Sequence, residues 1–405
     1  MSSSVSRSQI LIVAAAALGY FVDLYDIVIF GVVRVTSLSE LGLTGDDGTR
    51  WGITLLNLQM IGMLAGGFLW GVIGDRMGRR FALLATITLY SFANLANAFV
   101  GTVEQYAALR LLAGVGLAGE LGAGVTLIAE LLPKNRRGYG TTIIAFLGLL
   151  GALTASFSGD LLPWRATYAL GGCLGLLVLA LRWVVLRESA MFEEQKARGG
   201  GQARLLLTRP RLALRFLAVT AVGVPIWYAS ALFVNFAPEF GKELGLTTPL
   251  AVAAVLRWQS IGLALGSALS GVISEALRSR KRVIGACLVA MALLTAVLLL
   301  TPGLTATAYC LLMFAMGLAQ GYWTVFLGIG AEQFGTNVRA TVSTSVPNLV
   351  RAATVPVTLV LAALSPSLGL IPTTLAIGAV VFVLAAVALL SLRETYGIEL
   401  DYAET

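Results

Sequence analysis

The chain has 405 residues, of which 58% are hydrophobic and 12% charged, with a net charge of +7 and no histidine. Soluble domains carry about 25% charged residues, so a water-soluble globular protein is excluded. With no histidine, any proton carried near neutral pH must ride on carboxylates whose pKa the protein raises.

Apolar runs of about 20 residues, enough to cross about 30 Å of hydrocarbon, recur along the chain. Six cover roughly 9–33, 51–74, 81–100, 105–132, 139–162 and 165–186. Six more cover roughly 212–235, 248–275, 283–301, 305–331, 341–364 and 368–391. The first run is too long, and its Asp23/Asp26 pair too central, for a cleaved signal peptide. Between the sets lies 187–211, charged in both signs and holding Gly199–Gly201, which reads as a cytoplasmic linker, helical in part. The expected organisation is an N-terminal six-helix bundle over 1–186, that linker, and a C-terminal six-helix bundle with a short tail over 212–405. Both bundles are expected to be all-α, because open strand edges cannot be satisfied in lipid.

With twelve spans and an inside N-terminus, about 20 of the 28 Lys/Arg fall on the cytoplasmic side. Arg34, Arg50, Arg110, Arg165, Lys242 and Arg257 fall on or near the outer side. The basic balance therefore reflects topology and offers no stripe for nucleic acid. An inner-membrane, multi-pass protein with both termini cytoplasmic is expected. Cys173, Cys287 and Cys310 fall inside spans and read as buried free thiols, with no disulfide framework or metal motif.

Residues 56–80 and 256–280 are two versions of one segment. Gln59/Gln259, Gly62/Gly262, Gly66/Gly266, Gly71-Val72-Ile73/Gly271-Val272-Ile273 and Arg80/Arg280 are identical, and Asp75/Glu275 keep their charge. Duplication in an apolar chain marks transporters built from two similar bundles, with the site between them.

At 71–80 the chain reads GVIGDRMGRR. This resembles the signature loop of the major facilitator superfamily at Gly71, Asp75, Arg76, Gly78, Arg79 and Arg80. A carboxylate at a helix end beside arginines can latch one conformation. Residues 110–138, with Arg110, Gly114, Gly119-Glu120, Glu130, Pro133, Arg137 and Gly138, resemble the fourth-span pattern of that superfamily's metabolite:proton symporters. The first span, GYFVDLYDIVIFG, resembles that group and the aromatic-acid:proton symporters. RESAMFE after the sixth span matches the family's usual Pro-Glu-Ser-Pro-Arg only loosely. The resemblance implies twelve transmembrane helices in two pseudo-symmetric bundles.

Charges repeated in both halves are read as latch or helix-end groups: Asp75/Glu275, Arg80/Arg280, Glu130/Glu332 and Arg137/Arg339. Charges within a span that lack a counterpart cost about 2.5–3.5 kcal/mol each to insert and are better functional candidates. These are Asp23, Asp26 on the same helical face, Glu120, whose repeat position is read as Tyr322, and Arg351. A guanidinium grips a carboxylate through two hydrogen bonds and stays charged. A desolvated carboxyl binds and releases a proton as its surroundings change. Asp23, Asp26 and Glu120 are thus the proton-coupling candidates and Arg351 the substrate anchor. Arg257, Asn57 at its repeat position, Trp227 and Tyr228 after Pro225, Gln320, Tyr322 and Asn348 are expected to complete the site. The bland alternatives are snorkelling for Arg257, aromatic packing for each Trp, and charge neutralisation for Arg351.

The expectation is a secondary active transporter importing a small organic anion, a mono- or dicarboxylate or aromatic acid, with protons by alternating access. Rival readings are an uncoupled facilitator, a proton-driven exporter of a cationic or zwitterionic metabolite, and a solute-binding membrane sensor. Sodium is an alternative coupling ion. An enzyme is not expected, because no metal cluster, redox motif or nucleophile–base arrangement is present. No cofactor or metal and no nucleic-acid partner is expected; the partners are the organic anion, protons and the bilayer, around a monomer.

Overall fold

The computed structural model describes residues 7–120, 137–185, 208–397 and 404. Every regular element among them is helical. The chain divides into two compact units, Met1–Gly201 and Gln202–Thr405. Most of the linker expected over 187–211 lies outside the described residues, as does the second part of the fourth predicted span.

The first unit contains α1 (Arg7–Glu40), α2 (Gly45–Met77), α3 (Arg79–Asn97), α4 (Val103–Leu117), α5 (Arg137–Leu161) and α6 (Trp164–Val185). Gly78 separates α2 from α3 at φ 97° and ψ 155°, a region that essentially only glycine occupies. That backbone requirement accounts for the glycine of the signature loop. Thr102 opens α4, its hydroxyl accepting the Gln105 N–H at 3.4 Å. Helices α2 and α4 meet through glycine: a Cβ at Gly62 would stand 3.0 Å from Val115 N, and one at Gly114 would stand 2.9 Å from the Gln59 carbonyl carbon. Small residues at this spacing let helix backbones approach in lipid.

The second unit contains α7 (Pro210–Ala229), α8 (Ala237–Glu243), α9 (Val252–Ala276), α10 (Arg280–Leu300), α11 (Ala306–Gln320), α12 (Trp323–Glu332), α13 (Thr336–Ala352), α14 (Thr354–Leu368) and α15 (Leu370–Ser391). Pro225 lies inside α7, which passes into a π-turn at Ser230–Val234. Carbonyls along this distorted stretch are taken by tyrosines: Tyr322 donates to Val222 O at 2.7 Å and Tyr309 to Phe233 O at 2.8 Å. The run expected over 341–364 is broken at Ala353. Pro356 lacks the N–H that would reach back to Ala352, which favours that break.

The duplication is visible in the contacts within each unit. Gly262 on α9 meets Phe314 and Leu318 on α11 as Gly62 meets Leu111 and Val115, and Gly317 meets Gln259 as Gly114 meets Gln59. This register makes Trp323, not Tyr322, the counterpart of Glu120. An offset of 202 gives Tyr322, but α4 and α11 are of equal length and run at an offset of 203 from their capping residues, Thr102 and Thr305, onward.

Nine helices among the described residues are long and apolar enough to cross a membrane, and Phe146–Leu161 is a shorter apolar helix. Their outward faces leave large apolar side chains exposed, Leu177, Val184, Leu300 and Leu390 among them. Continuous apolar faces of this kind fit a bilayer and not water. The three cysteines are free, but only Cys310 is buried; Cys173 is exposed, because its helix turns that face outward.

Candidate functional site

The interior of the first unit holds a continuous set of charges. Helix α1 presents Gly19, Asp23 and Asp26 about one turn apart, so they share a face. Asp23 and Asp26 are fully buried. Asp26 has Arg110, Asp23 and Asn94 as its electrostatic neighbours. Gly171 on α6 leaves the space for its carboxylate, since a Cβ there would stand 2.8 Å from Asp26 Oδ1.

Arg110, expected near the outer side, is completely buried two turns into α4. Its guanidinium donates to Asn94 Oδ1 at 2.7 Å and to Gln59 Oε1 at 3.4 Å. It also lies over the Tyr168 ring, 4.9 Å from the centroid. Gln59 in turn donates to the Asp26 carbonyl at 3.4 Å. In the second unit, Gln259 donates instead to Ser230 Oγ and Gln320 Oε1, both at 2.8 Å. The duplicated glutamine therefore serves a charged cluster in one half and a neutral amide network in the other.

Glu120 follows the turn at Ala118–Gly119 and is buried against Arg182 of α6. Arg182 Nη2 lies 2.7 Å from Glu120 Oε2, and Nη1 donates to Oε1 at 2.9 Å. Thr86 adds a hydrogen bond to Oε1 at 3.0 Å. The same guanidinium donates to the carbonyls of Ala15 at 3.3 Å and Leu83 at 3.5 Å, joining four helical segments at one level. Asp23 is among the electrostatic neighbours of Arg182 as well, so the two groups of charges are contiguous. Asp23, Asp26, Glu120, Arg110 and Arg182 thus form one buried set among the described residues, with Arg34 also buried further along α1. Asn57 is buried on α2, two residues before Gln59.

Sequence reasoning missed Arg110 and Arg182. Arg182 satisfied the criterion already applied to Asp23, a charge inside a span without a counterpart, but its proximity to the linker disguised it as a helix-end charge. Arg110, five residues into the run at 105–132, reads from position alone as an outer-side charge, whereas its side chain is buried among α2, α3 and α6.

In the second unit Arg351 is buried at the end of α13, beside the break at Ala353. Its guanidinium lies 5.7 Å from the Trp227 ring centroid and 3.5 Å from Asn348 Oδ1. Arg351, Trp227 and Asn348 therefore come together. Gln320 is committed to the amide network and the Ile226 carbonyl at 3.0 Å. Tyr322 and Tyr228 donate to backbone carbonyls, the latter to Thr374 O at 2.9 Å. Arg257 is half-buried near Cys310.

Of the latch candidates, Arg280 bridges Glu275 at 3.0 Å and Glu332 at 3.6 Å. The chain's end joins this group: Thr395 donates to Glu332 Oε2 at 2.6 Å, and the Arg280 and Lys281 N–H groups donate to Glu394 at 2.9 and 3.2 Å. Partial burial works against the Glu394 charge, but Ser279 and three backbone N–H groups hold its carboxyl below the ordinary carboxylate range. Arg339 donates to Phe334 O at 3.1 Å, and Arg80 to Trp183 O at 3.3 Å. Glu130 lies outside the described residues; for Gly71, Asp75, Arg76, Arg79 and Arg137 the backbone alone is described.

A family model described as Major Facilitator Superfamily matches residues 16–346. A gallate transporter of Pseudomonas putida is 31% identical over 221 residues, 53% of this chain and 48% of that protein. A 3-(3-hydroxy-phenyl)propionate transporter of Escherichia coli K12 is 26% identical over 301 residues, 71% of each chain. The match spans about half the length of the first of these curated relatives. Among solved structures, a D-xylose-proton symporter superposes with a TM-score of 0.73 at 21% identity, covering 96% of this chain and 99% of that one.

Proposed function

The chain belongs to the Major Facilitator Superfamily, and from that premise we propose that it is a secondary active transporter carrying a small carboxylate together with a proton. The full arrangement is twelve spans in two six-helix bundles over 1–186 and 212–405, in the inner membrane with both termini cytoplasmic. The reading is of a carrier, in keeping with the family, and not of an enzyme.

One observation carries the coupling. Asp23 and Asp26 are fully buried one turn apart on a membrane-length helix, with Arg110 beside Asp26, and Glu120 is buried with Arg182 next to them. A lone buried charge costs several kcal/mol, and a carboxyl avoids that cost by taking up a proton. Glu120 has a close, bidentate partner in Arg182. The proton carriers are therefore Asp23 and Asp26, which lie close enough on α1 for the charge of one to oppose the charge of the other. Glu120 joins the cycle when its ion pair opens.

The second unit supplies the anion site. Arg351 beside Trp227 offers a guanidinium for a carboxylate and an indole face for a ring. An aromatic acid satisfies both, in accord with the names of the relatives. Asn348 orients the guanidinium, and Arg257 in the same unit recruits the anion. Gln320 and Tyr322 hold carbonyls of α7 ahead of the π-turn, and Tyr228 ties α7 to the Thr374 carbonyl of α15.

The test is uptake of labelled gallate, 3-(3-hydroxyphenyl)propionate and benzoate into proteoliposomes, with and without an inward proton gradient. The wild type accumulates at least one acid only with the gradient. Asp23→Asn and Arg351→Ala each lose accumulation. Equilibration regardless of the gradient would make the protein a facilitator; normal transport by Arg351→Ala would remove that residue from the site.

A further inference from the structure

Tyr90 lies on α3 between the two groups of charges. Thr86, Tyr90, Asn94 and Asn97 recur at helical spacing and share one face. Thr86 touches Glu120, and Asn94 touches Arg110. Tyr90 stands one turn from each, about 6 Å along the axis. The residue is fully buried, and its hydroxyl has no hydrogen-bond partner among the described residues. Glu120, Arg182, Asp26 and Asp23 are the charged groups facing it, contributed by α1, the segment after α4, and α6.

The ring is fixed by two glycines. A Cβ at Gly116 would stand 2.7 Å from the Tyr90 Cβ, and one at Gly175 would stand 3.3 Å from its Cε2. A phenol clamped this closely is not a flexible surface side chain turned inward. A buried hydroxyl without a partner costs about 1–3 kcal/mol, so the site needs a ligand with donor and acceptor capacity. Water meets that need, and buried polar clusters of this kind hold it.

We infer that Tyr90 is a proton relay, passing the proton between the Asp23/Asp26 pair and Glu120 through bound water. In the forward step the protonated aspartyl O–H bond breaks and its proton joins water. A proton from that water joins the tyrosine oxygen as the phenolic O–H proton passes on to Glu120. The aspartate is left as carboxylate, Glu120 becomes a neutral acid, and tyrosine and water regain their starting forms. Neutral Glu120 no longer balances Arg182, and the ion pair between them weakens. Proton position is thereby tied to the contact of the segment after α4 with α6. The relay rests on the proton-coupled reading above.

Tyr90→Phe keeps the ring and removes only the relay oxygen. The experiment compares it with the wild type in proteoliposomes, using the aromatic carboxylate that the wild type moves best from the panel above. Two readouts are taken over external pH 5.5–8: gradient-driven accumulation, and counterflow exchange without a gradient. The relay predicts wild-type counterflow with accumulation reduced at least tenfold, and loss of the pH dependence of uptake. Accumulation equal to the wild type overturns the relay. Loss of counterflow and accumulation together makes the hydroxyl structural and overturns it too. A wild type that shows no gradient-driven accumulation overturns the coupling reading, and the relay with it.

Discussion

Gly19 is where the first bundle is most sensitive to a single methyl group. A Cβ there would stand 2.6 Å from Arg182 Cζ and 2.9 Å from Glu120 Oε2. Gly19→Ala is therefore expected to destabilise by about 1–3 kcal/mol, the usual cost of overpacking. In an Arg182→Ala background the same change is expected to be nearly neutral, because the obstructing guanidinium is gone. Thermal unfolding of the four proteins in detergent closes this cycle; additive effects would mean that Arg182 does not occupy the space beside Gly19. Arg182→Ala alone strands Glu120 and is expected to cost about 3–5 kcal/mol. Sequence reading found the acids here because a carboxylate deep in an apolar run is conspicuous. It missed the arginines because a long side chain lets a charge lie far from the position its backbone suggests. Where Arg182 and Arg110 point is a packing fact, not a pattern.

The helices themselves were largely legible, since apolar runs of membrane length admit few structures. Their interruptions were less so. Pro225 announced a disturbed helix, but the π-turn at Ser230–Val234 and the tyrosines that cover its carbonyls depend on neighbours distant in sequence. The turn after α2 shows the duplication at backbone level: Gly78 has φ 97°, and its counterpart Arg278 keeps a positive φ of 47°. A non-glycine residue in left-handed conformation costs about 1–2 kcal/mol. Arg278→Gly is thus expected to stabilise the second bundle by roughly 1 kcal/mol, less the entropy that glycine returns to the unfolded chain; an unchanged or lower melting temperature would remove strain from this turn. Next to it, Glu394 joins the chain's end to the start of α10. Its carboxyl is held below the ordinary range, so its contribution is full above about pH 4.3, the unfolded glutamate value. The contribution is lost as pH falls through the lower folded value. Glu394→Gln should lower the melting temperature at pH 7, with the difference shrinking as pH falls below about 4.3; a constant difference would mean the charge is not what matters there.

At the scale of the whole molecule, the chain uses one duplicated helical plan and places different chemistry in each copy. Gln59 and Gln259 occupy equivalent positions, yet one serves Arg110 and the other a neutral network. The counterpart of Glu120 is Trp323. In the proposed reading the first bundle carries the proton chemistry, while the second, where Arg351 lies against Trp227, takes the aromatic acid. The fold was readable from repetition, but this division was only partly so, because it rests on which charges find partners inside a bundle. The most direct test is proton movement itself, followed with a pH-sensitive dye inside proteoliposomes when an aromatic carboxylate is added outside, with protein-free vesicles as the baseline for passive acid entry. Proton coupling through the first bundle predicts acidification of the lumen above that baseline for the wild type and none for Asp26→Asn. Entry of labelled acid through the wild type without proton movement above baseline would contradict it.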